Sequence, residues 1–346
     1  VKGLLTLDTL PEKVKINNPY GAPVYQVTDL PLFWVDGKRN LLQIYRLYLQ
    51  EGGTRSLKNI IEVFQFLARY GYLKITSQKV PRIKQTDIVQ ALKRLGVQKG
   101  DVLFVHSSLS RLGFLVGGPT TVIKALQQII GPSGTLVMPT FTYASSGGVF
   151  DPIRSNSKTG IITEYFRRQP GVIRSYHPTH SVAAYGPLAK VITQNHQDLP
   201  PYDYRGPFGK LYQYKTKIIF FGCQMYANSM LHAVEDWNNM WFLQKYPVKV
   251  KEGNKIKTKI FPKMPLGHRD FYQQSDQYTA KIYQELYKRN LIKDVRLGAG
   301  FIRLIEAHLL VDACKEILKK DPNILLCDKP TCKFCQTNKR LSLIHI

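Results

Sequence analysis

The chain has 346 residues, of which 44% are hydrophobic, and a formal net charge of +25. This length exceeds one average domain, so we expect two domains with a sizeable core, and the composition is typical of a soluble globular protein. No apolar run approaches the roughly 20 residues of a membrane-spanning helix and no signal peptide opens the chain, which predicts a cytoplasmic protein without membrane contact. The Lys and Arg residues are spread along the sequence. They favour anionic partners such as a phosphate-bearing cofactor or nucleic acid, and they disfavour a polycationic substrate.

The two ends of the chain indicate a piece of a longer protein. The sequence begins at Val1 instead of Met, so residues 1–80 are interpreted either as a module of their own or as the tail of an upstream domain. Residues 341–346 are typical of a translated sequencing adapter and are left out of the prediction of fold and function.

Residues 30–76 predict a small N-terminal module. A short apolar strand precedes two amphipathic helices, the second of which begins after Ser56, a residue type that favours the N-cap position. A second strand is predicted at Tyr72–Ile75. The order strand, helix, helix, strand resembles a winged helix. Modules of that kind bind DNA or contact other proteins, and we favour the protein-contact role.

From Asp101 onward the sequence alternates apolar strands with amphipathic helices. This alternation predicts an α/β domain over residues 81–320, with a mixed, partly parallel sheet flanked by helices. The predicted strands lie at 102–105, 135–138, 182–185 and 217–221, and the predicted helices at 120–130, 161–168, 187–194 and 302–318. Residues 245–265 predict an exposed hairpin, and residues 321–340 are interpreted as a separate tail that contains cysteines.

Small residues follow the first strand of this domain. His106-Ser107-Ser108-Leu109-Ser110 comes directly after the apolar run, and Gly117-Gly118 precedes the next helix. Backbone N–H groups at a strand end and at a helix N-terminus bind anions, and glycine allows a phosphate or a pantetheine chain to approach closely. The spacing fits neither the Walker nor the Rossmann fingerprint, and two glycines before a helix are also an ordinary tight turn.

A stretch with two histidines, residues 174–187, marks the boundary before the strand at 182–185. His177 is followed by Pro178, and His180 lies three residues after His177. Histidine is the side chain best suited to move protons near neutral pH, so His177 is a candidate general base. A hydrogen-bonded structural histidine is the alternative interpretation of both residues.

Many separated motifs occur together in the order and spacing of one family. Between about residues 85 and 310 the sequence resembles the aminoglycoside N3-acetyltransferases. The shared motifs are His106-Ser107-Ser108-Leu109, Gly117-Gly118, 134–140, Phe150-Asp151-Pro152, Thr159-Gly160, 164–167, 170–175, His177-Pro178, Ser181, Ala183-Ala184, 206–211, Phe221-Gly222 and 231–235. A set of this kind is far more specific than any one motif. The resemblance implies an N-acetyltransferase of the same fold that uses acetyl-CoA.

The resemblance also implies roles for individual residues. His177 corresponds to a general base that deprotonates the attacking amine, and Glu235 to the acid that orients its imidazole. The residues implied to line the acetyl-CoA arm are His106, Ser107, Ser108, Leu109, Ser110, Gly117, Gly118 and Thr140.

Four further side chains are candidates for binding the substrate: Asp151, Glu164, His180 and His232. His232 shares one helical face with Glu235, but a helix-packing role fits it equally. Surface charge is the alternative for Asp151 and Glu164, and ordinary hydrogen bonding is the alternative for His180.

The chain departs from the family before Phe150. Its segment 141–149 is short, uncharged and rich in Tyr, Ser and Thr, where the aminoglycoside-modifying members carry a longer acidic insertion. Together with the net charge of +25, this favours a small-molecule amine such as an amino-sugar of a surface polysaccharide, or a nucleotide-linked amino-sugar, over an antibiotic. The alternative from another class is a nucleic-acid-binding or regulatory protein that uses the fold as a scaffold. Assembly as a homo-oligomer is left open.

The five cysteines indicate no disulfide framework, because four of them lie after residue 313. Cys332 and Cys335 have metal-knuckle spacing, and Cys327 and Cys314 precede them. These four could complete a zinc or iron–sulfur site, but an incidental group of reduced cysteines is the favoured interpretation, so no bound metal is predicted. Cys223 is expected to be a small buried side chain.

Overall fold

The structure is a computed structural model that describes residues 41–50, 56–71, 73–75, 81–108, 111–142, 148–240, 244–263, 269–272 and 280–342. The chain divides into two compact units, Val1–Lys79 and Val80–Ile346. Leu109 and Ser110, two of the residues expected to contact acetyl-CoA, lie outside the described residues, as does the first strand of the predicted N-terminal module.

In the first unit, two helices pack against each other. They are α1 (Leu41–Gln50) and α2 (Leu57–Arg69). Ser56 caps α2 as predicted, because its hydroxyl oxygen accepts a hydrogen bond from the backbone N–H of Asn59, 3.2 Å away. The small core between the helices contains Ile44, Tyr48, Ile60 and Phe64. Residues 73–75 form no strand, so the winged-helix prediction is not confirmed.

The second unit contains the strands. In chain order they are β1 (Arg82–Ile83), β2 (Val102–Ser107), β3 (Phe114–Leu115), β4 (Thr135–Pro139), β5 (Val149–Phe150), β6 (Ile173–Arg174), β7 (Val182–Tyr185), β8 (Lys217–Phe221), β9 (Gln244–Glu252), β10 (Lys255–Lys263), β11 (Lys293–Leu297) and β12 (Gly300–Glu306). Seven of them form the main sheet in the order β11-β12-β8-β2-β4-β7-β6. Strand β2 runs parallel to β4 and β8, and the other neighbouring pairs are antiparallel. The predicted mixed, partly parallel sheet is thus confirmed.

Helices cover both faces of this sheet. They are α3 (Gln85–Arg94), α4 (Gly118–Ile130), α5 (Ile161–Arg167), α6 (Ala189–Thr193), α7 (Pro207–Gln213), α8 (Ser229–Trp237), α9 (Lys281–Lys288) and α10 (Ala307–Lys320), and α11 (Lys333–Ser342) follows them in the chain. The apolar sides of α3 to α5 pack on one face, and those of α6 to α10 pack on the other. Double-sided burial explains why the central strands have nearly continuous apolar sequences. Among the helices described, none combines the length and the hydropathy that a membrane span requires.

Two segments differ from the prediction. Residues 302–306 belong to β12, and the last predicted helix begins only at Ala307. Strand β12 pairs with β8 on one side and β11 on the other, and this pairing overrides the helical pattern of the sequence. Strand β11 was not predicted, because it lies at the sheet edge and alternates charged residues with apolar ones.

The predicted hairpin at 245–265 is formed by β9 and β10, which pair along their whole length. Strand β5 joins β9 in parallel. This small sheet has its own core, to which Phe150 and Phe261 contribute. The Phe261 ring lies 5.7 Å from the His177 ring, so the hairpin packs against the predicted site.

Candidate active site

Buried polar side chains lie at the carboxyl ends of the parallel strands β2 and β8, in the middle of the main sheet. In open α/β sheets, ligands bind at the carboxyl ends of such strands. Within the described part of the chain, several side-chain atoms at or just after these strand ends are buried and have no hydrogen-bond partner: His106 Nε2, Ser107 Oγ, Gln224 Oε1 and Asn228 Nδ2. Because buried polar groups are normally paired, these atoms indicate where a ligand would supply partners.

The chain enters α4 through two glycines with left-handed backbone, φ being +84° at Gly117 and +60° at Gly118. A Cβ atom on Gly117 would lie 2.4 Å from Oγ1 of Thr121, whereas a Cβ atom on Gly118 would meet nothing within 4 Å. Packing therefore requires glycine at 117. Open space at Gly118 lets a ligand approach the N–H groups of the first helical turn.

His106, which is expected to line the acetyl-CoA arm, is a residue of β2. Its side chain is 4% exposed, and its ring lies 4.8 Å from Phe104 and 5.5 Å from Phe220. Burial lowers the pKa of His106 to about 3, so the ring is neutral. Ser107 and Ser108, which follow it, are half-buried at the strand end, and the N–H of Ser108 donates to the carbonyl of Phe221 at 2.9 Å.

Thr140, which is expected to line the acetyl-CoA arm, bonds to the neighbouring strand end. It is fully buried, and both its N–H and its hydroxyl donate to the carbonyl of Ser181, at 2.8 Å and 3.0 Å. Arg174 donates to the Thr140 carbonyl at 2.6 Å. The side chain therefore joins the ends of β4 and β7, and its hydroxyl is not available to a ligand.

His177 is completely buried, with 0% exposure. Its Nδ1 accepts hydrogen bonds from the backbone N–H groups of His180, at 2.9 Å, and Thr179, at 3.2 Å. Burial, with smaller contributions from His196 and His180, lowers the pKa of His177 well below its ordinary value. The hydrogen bonds of Glu235 go to His232 and Arg269. Nε2 of His177 is buried and has no hydrogen-bond partner among the described residues.

His196 supports His177 and carries no motif that sequence reasoning could have used. The two rings stack with centroids 4.5 Å apart. His196 Nδ1 lies 2.9 Å from the hydroxyl of Ser175, and Nε2 lies 3.3 Å from the carbonyl of Pro201. Burial lowers the pKa of His196 to about 4. His177 and His196 thus form a buried, hydrogen-bonded pair beside the turn before β7.

Glu235 pairs with His232, one turn earlier on α8. Nδ1 of His232 lies 2.7 Å from Oε2 of Glu235, and Nε of Arg269 donates to Oε1 at 3.0 Å. The Glu235 and Arg269 side chains are 0% and 2% exposed, whereas His232 keeps 15% exposure. Burial alone would raise the pKa of Glu235, but His232 and Arg269 hold it below its ordinary value. The anionic carboxylate accepts the Nδ1–H of His232, which leaves the lone pair of the neutral ring on Nε2.

Aromatic rings surround His232. Tyr202 and Phe271 lie 5.4 Å and 5.5 Å from its ring. Tyr202 also contacts His180, with ring centroids 5.1 Å apart. The structure therefore brings three of the predicted site residues, His180, His232 and Glu235, to one aromatic cluster.

Asp151 and Glu164 are engaged in local structure. Oδ1 of Asp151 accepts the backbone N–H groups of Ile153 and Arg154, both at 2.9 Å, and the Arg154 bond is the main reason that the Asp151 pKa is lowered. Burial would raise the pKa of Glu164, but Arg167 holds it below its ordinary value through hydrogen bonds of 2.6 Å and 2.8 Å. Both carboxylates thus have partners close by in the sequence, and their binding of a substrate amine stays a prediction.

A further acid on α8, Asp236, had no role in the sequence analysis. Burial raises the pKa of Asp236 to about 6, and the negative charges of Asp203 and Glu235 contribute to that rise. Asp203 is itself paired with Arg205 at 2.8 Å. Negative charges that lie close together repel one another, and a bound cation would relieve that repulsion. This face of α8 therefore suits an ammonium group.

Comparisons with known proteins agree with the fold. The chain matches the family model described as aminoglycoside 3-N-acetyltransferase over residues 104–319. Aminoglycoside N(3)-acetyltransferase IV from Salmonella sp is 29% identical over 246 residues, which are 70% of this chain and 90% of that protein.

Solved structures of the same kind superpose on most of the chain. The crystal structure of the apoenzyme of aminoglycoside acetyltransferase AAC(3)-IVa is similar with a TM-score of 0.65 and 28% identity, over 76% of this chain and 99% of that one. A histidine-to-alanine mutant of that enzyme in complex with apramycin has a TM-score of 0.60 and 27% identity, over 72% and 96% of the two chains. The family match covers more than half of the sequence, and the chain belongs to the aminoglycoside 3-N-acetyltransferase family of acetyl-CoA-dependent enzymes.

Proposed function

We propose that this protein transfers the acetyl group of acetyl-CoA to an amino group of an amino-sugar or aminoglycoside-like substrate in the cytoplasm. His232 acts as the general base and Glu235 positions it. The observation that supports this assignment is the 2.7 Å contact between Nδ1 of His232 and the fully buried carboxylate of Glu235. We prefer His232 to His177, the base expected from the sequence, because Nδ1 of His177 accepts backbone N–H groups and the proton of its neutral ring is therefore on Nε2.

The chemistry requires a base but no covalent enzyme intermediate. An amine in water is mostly protonated, and the ammonium form has no lone pair with which to attack. Acetyl-CoA supplies a thioester carbonyl that is already activated, with a thiol as the leaving group. Nε2 of His232 takes the proton from the amine, and Glu235 balances the imidazolium charge that results.

The residues at the carboxyl ends of β2 and β8 fit acetyl-CoA. Gly117 and Gly118 present the N-terminus of α4, which suits phosphate oxygens or the amides of a pantetheine chain. The unpartnered Ser107 Oγ and Asn228 Nδ2 would donate to the same ligand. We infer that these groups, rather than Thr140, bind the cofactor.

The surroundings of His232 suit a substrate that carries an ammonium group. Asp236, close to Asp203, places negative charge on the helix that carries His232. This local charge opposes the repulsion that the net charge of +25 would exert on a cationic amine. The segment 141–149 contains no charged residue and so adds nothing to this attraction. The alternative of a nucleic-acid-binding scaffold gains no support from the comparisons.

Release of free thiol from acetyl-CoA, followed with a thiol reagent, tests the assignment of the base. His232→Ala should lower kcat by roughly 100-fold or more, which is the usual contribution of a general base. His308→Ala is the matched control, because His308 also lies near a glutamate, 3.6 Å from Glu306, but outside the site. An unchanged kcat in His232→Ala, with the control also unchanged, would exclude His232 as the base.

The same assay identifies the acceptor. Apramycin and a second aminoglycoside form one arm, and glucosamine and a nucleotide-linked amino-sugar form the other. Turnover in either arm supports the proposed function and decides between its two substrate classes. Absence of acetyl transfer in both arms by a folded protein would refute it.

A further inference from the structure

Three cysteines of the C-terminal region come together in the fold. The Sγ atoms of Cys327, Cys332 and Cys335 all lie within 4.8 Å of one another. Cys327 and Cys335 are buried, Cys332 is half-buried, and none of the three forms a disulfide. They form a small cluster of their own with Leu326 and Phe334. The fourth cysteine of the predicted group, Cys314, is instead a residue of the main core and does not join them.

The local backbone has the features of a metal knuckle. The N–H of Cys332 donates to the carbonyl of Lys329 at 3.1 Å, which closes a turn immediately before α11. Cys335 lies in the first turn of that helix, and its Sγ accepts the backbone N–H of Cys327 at 3.4 Å. Hydrogen bonds to sulfur and a Cys-x2-Cys turn orient the sulfur atoms toward one point.

The sulfur positions suit a tetrahedral ion. With Zn–S bonds of about 2.3 Å, two sulfurs of a tetrahedron lie about 3.8 Å apart, so the three side chains need only small movements. Soft thiolate donors select zinc over magnesium or calcium. Lys281 and Lys339 both pair with Asp328, the neighbour of Cys327, and their charge offsets that of a zinc–thiolate group.

We propose that Cys327, Cys332 and Cys335 bind one Zn²⁺ ion, which holds the C-terminal region against the segment that carries Arg269. On binding, each thiol gives up its proton to solvent and becomes a thiolate ligand. The fourth tetrahedral position is taken by water or by a further side chain. This proposal departs from the expectation that no metal is bound, and it does not depend on the proposed reaction.

The position of the cluster suggests what the ion does. The guanidinium of Arg269 lies 5.0 Å from the centre of the Phe334 ring, and Phe334 is the residue before Cys335. The N–H of Asp270 donates to the carbonyl of Leu325 at 2.9 Å, two residues before Cys327. The ion therefore fixes the surroundings of Arg269, which bonds to Glu235. A site of this kind is structural, since none of its ligands belongs to the His232–Glu235 pair on α8.

Metal analysis of the full chain tests the proposal. Protein purified anaerobically with a reductant and without chelator should contain one zinc per chain, and the Cys332→Ser/Cys335→Ser double variant should contain none. Cys314→Ala is the matched control and should keep the zinc. Removing zinc with a chelator should lower the thermal midpoint of the wild type and of Cys314→Ala, and adding zinc should restore it.

Cobalt substitution keeps the test independent of whether the double variant folds. The wild-type chain, depleted of zinc and titrated with Co²⁺, should develop the intense near-ultraviolet bands of cobalt–thiolate bonds at one equivalent. A wild-type chain that holds no zinc and binds no Co²⁺ would overturn the proposal. An iron–sulfur absorption spectrum, or a disulfide within the group in the anaerobic protein, would overturn it equally.

Discussion

Replacing Glu235 by glutamine separates the charge balance of the buried site from the positioning of the base. The substitution removes the carboxylate that faces both His232 and the guanidinium of Arg269, a side chain that is 2% exposed. Breaking a buried ion pair from one side costs about 3–5 kcal/mol, and the contact of Arg269 with Phe334 is present both before and after the substitution, so it does not change this cost. We expect the free energy of unfolding to fall by about 3 kcal/mol and the thermal midpoint by about 6–12 °C.

The double variant Glu235→Gln/Arg269→Met removes the guanidinium as well. Because no buried charge then remains from this pair, the free energy of unfolding should return to within about 1 kcal/mol of the wild-type value. The acetyl-transfer rate should not return. A glutamine amide neither fixes the Nδ1–H tautomer of His232 nor balances the imidazolium charge, so kcat should stay roughly 100-fold below wild type in both variants.

Urea unfolding and thiol release, measured on the same preparations, check the two halves of this argument. Glu285→Gln is the control, because Glu285 pairs with Lys288 at 2.7 Å on the surface and should change the free energy of unfolding by less than about 0.5 kcal/mol. If kcat recovers together with stability in the double variant, Glu235 has only a structural role. If the single variant is as stable as the wild type, the pair with Arg269 does not balance a buried charge.

Three further predictions concern the buried histidines and Asp236. His177→Asn should lower the thermal midpoint by several degrees but keep kcat within about threefold of wild type, and a loss of kcat as large as in His232→Ala would contradict our choice of base. Asp236→Asn should raise KM for an aminoglycoside roughly tenfold. It should also stabilise the free protein at pH 8 by about 1 kcal/mol. A carboxyl whose folded pKa is raised to about 6 stabilises the fold only while it is protonated, and it loses that contribution as the pH rises through that value. An unchanged KM would exclude an ammonium site there. Lowering the pH from 6.5 to 4.5 should lower the free energy of unfolding by about 1.4 kcal/mol per pH unit for each of His106 and His196, since their folded pKa values of about 3 and about 4 lie below 6.5 and the unfolded chain takes up the protons first. Urea titrations across this pH range should show a smaller slope for His196→Gln, and an equal slope would contradict that reasoning.

The sheet and its helices were predictable because their signals are local. Strands β2, β4, β7 and β8 are short apolar runs, and their burial on both faces produces that pattern directly. The N-cap at Ser56 was likewise predictable, since it involves residues three positions apart. The helix predicted at residues 302–306 is wrong because an apolar run fits helix and strand equally, and only the partner strands decide between them.

The candidate site was half predictable, for the same reason. The three-residue spacing of His232 and Glu235 on a helix was visible in the sequence, and the structure joins them. The role of His177 was not decidable from its motif, because burial and the backbone N–H groups on its Nδ1 arise only in the folded chain. A histidine beside a proline looks the same in sequence whether it takes protons from a substrate or accepts bonds from a turn.

Arg269 shows why spacing alone cannot establish the charge of Glu235. It reaches Glu235 from 34 positions later in the sequence, and without a cation at that oxygen a fully buried carboxyl would be pushed toward its neutral form. A neutral Glu235 could not fix the tautomer of His232 or balance its charge. The charge of Glu235 therefore depends on an arginine that no motif includes, and that arginine contacts Phe334, in the region that the sequence predicted to be a separate tail. The His232–Glu235 pair and the C-terminal cysteine cluster are for this reason linked through Arg269, and a substitution in either one should change the other.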